Sequence, residues 1–219
     1  MKNTCFRNSL AKAITSIALA AIVILSENWA EAQPYLKNTH YYDSGPALLE
    51  KDDGRIEVLE LMWYGCNHCL RIKPIMDQWK DTLPDDVRHV RRHIHLPAPA
   101  DIQARIFLTV EAIDKNKHEK IFEIFLEKKS PPKGINDLHS LIKILDVNPD
   151  TFWDIFNSPE INAKMKQLQD VTAKHTIPGV PAIIVNGKYR TDIAAGKGPE
   201  NMIKIVDYLI NMERQAKQK

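Results

Sequence analysis

The sequence predicts an α/β fold in which a helical subdomain interrupts a short-stranded sheet. Three observations carry this prediction. An apolar run at 55–63, RIEVLELMW, leads directly into a helical pattern from Asn67. The stretch from 100 to about 174 has helical periodicity in several pieces. Strand character returns in PAIIVNGKYR, 181–190, and a last helical pattern follows it.

Each element has a local reason. Residues 33–54 are polar and carry turn formers in DSGP and KDDG, so only a short strand near His40 to Asp43 is expected. Residues 55–63 place Ile56, Val58, Leu59, Leu61 and Trp63 in a mostly buried strand. From Asn67 to about Leu83, the apolar positions Leu70, Ile72, Ile75, Met76 and Trp79 follow a helical period. Pro74 lies inside that helix and is expected to kink it. DVRHVRRHIH, 86–95, reads as a second strand.

In the middle block, Ile102, Ile106, Val110 and Ile113 share one helical face. Lys117 to Lys128 is a second helix, and Asn136 is placed to cap a third that ends near Leu145. Pro149 and Pro159 each open another, the last running towards Lys174. Asn186-Gly187 between Ile184-Val185 and Tyr189 signals a type I′ hairpin. Gly198-Pro199-Glu200 opens a final helix to about Arg214.

The N-terminus reads as a secretory signal over residues 1–32. Lys2, Arg7 and Lys12 precede the apolar run 13–25, and Ala30 and Ala32 fit a small-residue cleavage site. The run is short for a spanning helix, which needs about 20 apolar residues, so cleavage is preferred over an uncleaved anchor. A lipoprotein reading fails because Cys5 precedes the apolar run. The formal charge of +2 is near balance, which argues against nucleic acid as the main partner.

Cleavage would also remove Cys5, leaving Cys66 and Cys69 as the remaining cysteines. A pair two residues apart admits several readings: half a zinc site, two thiols that pack, a structural disulfide or a redox pair. A structural disulfide normally closes a long loop, and this one would close almost none, so it would add little stability. A zinc site needs about four ligands, and the chain has no second cysteine pair. A C-x-x-C after a strand and at the start of a helix is the pattern of thioredoxin-like redox proteins.

Three further features strengthen that pattern. Pro74 stands five residues after Cys69, where thioredoxins carry a helix-kinking proline. Glu60 stands six residues before Cys66, where they carry a buried acid. Gly179-Val180-Pro181, directly before the last hairpin, looks like the cis-proline loop that faces the thiols. IEVLELMWYGCNHC and GVPAIIVNGKY are close to the pattern of the DsbA family, and the chain resembles that family over most of residues 33–219. The resemblance implies a thioredoxin-like domain formed by 33–99 and 175–219, with an inserted helical subdomain at 100–174. One departure stands out: the family usually has Pro-His between its cysteines, and here the pair is Asn67-His68.

The implied function is a periplasmic thiol:disulfide oxidoreductase that introduces disulfides into exported proteins. Its substrates would be reduced, unfolded exported proteins, and its reoxidant a membrane quinone reductase of the DsbB type. It would act as a monomer, without cofactor or metal. Cys66, at the helix N-terminus, is expected to be the attacking and attacked sulfur, because free N–H groups and the helix dipole favour a thiolate there. Cys69 would resolve, and His68 would add a proton donor or positive charge. By resemblance, Pro181 keeps an N–H donor and metal ions away from the sulfurs. The backbone of Val180 would pair with an extended substrate. Glu60 is a candidate proton relay to Cys69, or else a partly solvated strand acid.

Weaker candidates are His89, His93 and His95, which share a strand face as a metal site would need, and the basic patch of Arg88, Arg91 and Arg92 as a ligand site. Both sets read more simply as solvated surface. Rival functions are a disulfide isomerase or reductase, a thioredoxin-like metal carrier using Cys66, Cys69 and His68, and a peptide-binding chaperone. No N-terminal dimerisation segment of the isomerase kind is evident before the first core strand.

Overall fold

The computed structural model describes residues 34–45, 52–97, 100–128, 135–174 and 177–218. The signal-peptide reading falls outside them. One compact unit spans Tyr35–Lys219.

The elements follow the predicted order. Strands β1 (Tyr42–Asp43) and β2 (Ile56–Met62) precede helix α1 (Asn67–Lys80), and β3 (Val87–His93) follows it. Helices α2 (Ala100–Asp114), α3 (Lys117–Lys128), α4 (Leu138–Ile144), α5 (Pro149–Phe156) and α6 (Pro159–Lys174) come next. Then come β4 (Ala182–Val185), β5 (Tyr189–Asp192), a short α7 (Ile193–Gly196) and the long α8 (Pro199–Ala216).

The sheet order is β1-β5-β4-β2-β3. β2 and β3 are parallel, joined through α1, and the other pairings are antiparallel. β2 has neighbours on both edges and is buried throughout, which explains its nearly continuous apolar sequence. Ile56, Val58, Ile183 and Val185 form one cluster with Ile72, Met76 and Trp79 of α1 and Met202, Ile205, Val206 and Leu209 of α8. Burying each such aliphatic side chain contributes about 1.5–3 kcal/mol. Leu59, Leu61, Ala182 and Ile184 form a separate buried cluster. The helices between β3 and β4 build the largest cluster, which reaches Met62, Tyr64, Cys66, Cys69 and Leu70. The two cysteines thus sit where the end of β2 meets the core of the helical insertion.

Local signals explain most boundaries. Asn148 caps α5, accepting the N–H of Thr151 at 3.0 Å, with Pro149 in the first turn. Asn186 and Gly187 have φ of 51° and 68°, and the Lys188 N–H donates to the Val185 carbonyl at 3.0 Å. Two positive φ values at the centre are what a type I′ turn requires.

The structure corrects two local expectations. Asn136 lies inside a 3₁₀ turn, Ile135–Asp137, and Asp137 occupies the cap position of α4. α7 was not predicted: the Asp192 side chain caps it through the N–H of Ala195 at 2.9 Å. Gly196 closes α7 because an added Cβ would lie 2.7 Å from the backbone nitrogen of Met202.

Candidate active site

Cys66 caps α1. Its backbone is extended, at φ −89° and ψ 106°, and its Sγ accepts the N–H of Cys69 at 3.1 Å. Asn67 and His68 are exposed in the first turn, while Cys66 and Cys69 are 7% and 3% exposed. Cys66 and Cys69 form a disulfide. The first turn of α1 holds no acidic side chain, so nothing in it opposes a negative charge at Cys66.

The Gly179-Val180-Pro181 loop does face the cysteines. Cys66 Sγ lies 3.3 Å from the Val180 carbonyl oxygen, across 114 residues of sequence. The Val180–Pro181 peptide bond is cis, and Pro181 is buried while Val180 is half-buried. Gly65 precedes Cys66 because the Trp63 indole occupies the space a side chain would need: an added Cβ would lie 2.5 Å from that ring.

A buried polar cluster supports the strand-to-helix turn from below. The Tyr64 N–H donates to His93 Nε2 at 3.2 Å, and His93 Nδ1 pairs with the Ile94 carbonyl at 2.7 Å. The carbonyl can only accept, so Nδ1 carries the proton and Nε2 is the acceptor. Burial pushes the His93 pKa down to about 3, so the ring is neutral. The Tyr64 hydroxyl bonds His118 Nδ1 at 2.7 Å, and the His118 ring stacks on Phe107 at 4.2 Å. Burial and the nearby Arg91 and Arg92 push His118 down to about 4.

Glu60 is buried, which removes the reading of a partly solvated strand acid. It accepts hydrogen bonds from Arg91 Nε at 2.8 Å and pairs with His89 Nε2 at 2.9 Å. Burial alone would raise its pKa, but the His89 hydrogen bond and the Arg91 charge outweigh it and lower the value. A carboxylate held in its charged form is a weak proton acceptor at neutral pH, which counts against the relay role. Arg91 also donates to Asp77 of α1 at 3.1 Å. Asp77 binds Lys73, which in turn binds Glu119 of α3. Lys73 and Arg91 both lie over the Phe122 ring, at 5.3 and 5.5 Å. This chain of charges ties the sheet, the cysteine helix and the helical insertion together.

The other strand candidates are not solvated surface. Arg88 pairs with Asp53 and Glu57, and Arg92 with Glu111. His89 faces Glu60, His93 is fully buried, and His95 bonds Asp101 at 3.0 Å, so the three histidines have separate partners. Sequence reasoning also missed Arg71, whose Nη2 donates to His68 Nδ1 at 2.7 Å. The available signal was its position three residues after His68, on the same helix face.

A sheet of this topology, with a C-x-x-C disulfide at a helix N-terminus facing a cis-proline, defines a thioredoxin-like thiol:disulfide oxidoreductase. Known proteins agree. No family model matches the chain. It is 33% identical to the thiol:disulfide interchange protein DsbA of Pseudomonas syringae pathovar tomato, over 93% of this chain and 96% of that one. It is 31% identical to the DsbA of Pseudomonas aeruginosa, over 92% and 97% of the two chains. The crystal structure of Pseudomonas aeruginosa DsbA superposes with a TM-score of 0.78, covering 86% of this chain and 99% of that one at 31% identity. The oxidoreductase DsbA from Xylella fastidiosa gives 0.71 at 28% identity, over 80% and 95%. The chain belongs to the DsbA family of protein thiol:disulfide oxidoreductases.

Proposed function

We propose that this protein acts in the periplasm as an oxidant of reduced, unfolded exported proteins. A substrate thiolate attacks Cys66 Sγ, the Cys66–Cys69 bond breaks, and Cys69 leaves as a thiolate that takes up a proton. The substrate is then joined to Cys66 in a mixed disulfide. A second substrate thiolate attacks its own sulfur in that bond, and Cys66 leaves as a thiolate. The substrate has lost two electrons and two protons, and the enzyme holds both cysteines reduced. A membrane quinone reductase of the DsbB type takes those electrons and restores the disulfide. The protein works as a monomer, with residues 33–99 and 175–219 carrying the thiol chemistry and 100–174 inserted between them.

The observation that carries this reading is the placement of Cys66 Sγ as the cap of α1, bonded by the Cys69 N–H and 3.3 Å from Val180. Backbone dipoles that favour the Cys66 thiolate also favour the reduced enzyme, and a disulfide whose reduced form is stabilised is a strong oxidant. DsbA itself is the reference case for that relation. Val180 offers backbone groups to an extended substrate beside the sulfur, and Pro181 offers no N–H. The site roles are therefore Cys66 as nucleophile and leaving sulfur, Cys69 as resolving sulfur, His68 as donor, and Val180 and Pro181 as the substrate wall. Glu60 serves as an anchor for Arg91.

The test is oxidative folding of a reduced, unfolded substrate by the oxidised protein, with the potential measured in glutathione buffers. Stoichiometric oxidation is expected. A potential near that of thioredoxin, with no oxidation of the substrate, would assign the protein to reduction or isomerisation instead.

A further inference from the structure

We propose that Arg71 is a positioning residue that sets the proton of His68, a role that rests on the site reading above. Three facts carry it. First, Arg71 Nη2 lies 2.7 Å from His68 Nδ1, within α1 and three residues away. Second, a guanidinium can only donate and stays charged throughout the working pH range. The bond therefore needs a lone pair on Nδ1, and the proton of the neutral ring must sit on Nε2. Third, His68 is the residue between Asn67 and Cys69, in the first turn that the Cys66 sulfur caps.

The consequence is a division of labour. An imidazole free to choose would share its proton between the two nitrogens and turn. Arg71 holds the ring by one nitrogen and leaves the other, Nε2–H, as a donor at the exposed rim of the cysteine pair. Arg71 acts through the ring, and His68 supplies a directed hydrogen bond that favours a thiolate at Cys66 over a thiol. The reduced enzyme is stabilised, and the disulfide is the stronger oxidant for it. With proline absent from position 67, this pair is a feature of the chain's own first turn.

The experiment compares wild type, Arg71→Met and Arg71→Lys, each also in a His68→Ala background. Two quantities are read: the ¹⁵N signature of the His68 ring at pH 8, and the equilibrium constant with glutathione. Wild type is expected to show the Nε2–H form in both redox states, and Arg71→Met a mixture of the two neutral forms. Arg71→Met is expected to make the protein about threefold less oxidising, the scale of one exposed charged contact. Arg71→Lys, which keeps a charged donor, recovers most of that change. In the His68→Ala background Arg71→Met has no effect.

The proposal is overturned if wild-type His68 carries its proton on Nδ1. It is also overturned if Arg71→Met changes nothing, or if the threefold change persists without His68, since the charge would then act on Cys66 directly. Failure of the underlying site reading looks different: wild type would not exchange with glutathione through Cys66, while the ring signature would stay readable.

Discussion

The backbone N–H of Tyr64 donates to Nε2 of His93, 3.2 Å away, so the turn that delivers Cys66 rests on a neutral, fully buried imidazole. That bond exists only while His93 is unprotonated. His118, the partner of the Tyr64 hydroxyl, is held neutral in the same way.

Acid should therefore destabilise the protein before its carboxylates titrate. Both rings have folded pKa values, about 3 and about 4, below the ordinary 6.5. The unfolded chain binds these protons first, so stability is full above pH 6.5 and falls as pH drops towards the folded values. The expected slope is about 1.4 kcal/mol per pH unit for each histidine. Urea unfolding between pH 7 and 4.5 reads it, and His93→Gln, which does not titrate, should show a shallower slope.

Cys66→Ala should abolish exchange with substrate. Cys69→Ala should trap a mixed disulfide at Cys66, because no resolving thiol remains. Mass spectrometry of each reduced variant after incubation with a disulfide-bridged peptide, whose S–S bond the Cys66 thiolate breaks to release one half as a thiol, distinguishes the two. Trapping through Cys69 in the Cys66 variant would reverse the assignment.

Glu60→Gln should destabilise the fold by about 2 kcal/mol or more, because it leaves the half-buried Arg91 short of one partner. Arg91 keeps Asp77, which limits the loss. If Glu60 is an anchor and not a proton relay, the pH profile of substrate oxidation keeps its shape in this variant. A profile whose limb moves or disappears would restore the relay.

Asn67→Pro should change the redox potential by no more than about 30 mV, the scale of one hydrogen bond in a two-electron couple. The amide bonded to Cys66 Sγ is that of Cys69, and proline is well tolerated in the first turn of a helix. Equilibration with glutathione measures the difference. A shift of about 100 mV would mean that Asn67 sets the potential and does not merely tune it.

Gly65→Ala should lower both stability and the rate of exchange, since the new methyl group must displace the Trp63 indole directly beside Cys66. Thermal unfolding and the rate of substrate oxidation should fall together. An unchanged rate would show that the indole moves aside freely.

Much of this protein was legible from local sequence. The run into Cys66, the helix carrying Ile72, Met76 and Trp79, and the Asn186-Gly187 hairpin are each determined by residues close together in the chain. Apolar periodicity and turn chemistry act over a few residues, and the tertiary fold reinforces them. The two cysteines, His68 and the Val180-Pro181 loop could be named for the same reason, each by its own short motif. Tertiary structure decided what the polar residues do. VRHVRRH looks like a solvated strand, yet Arg88, Arg91 and Arg92 each find carboxylates on other elements, and His93 is sealed beneath Tyr64. Glu60 meets Arg91 only through the parallel register of β2 and β3, and Tyr64 meets His118 across 54 residues. A charged or polar group pays heavily for burial unless a partner arrives, and these partners come from distant segments that no local pattern records.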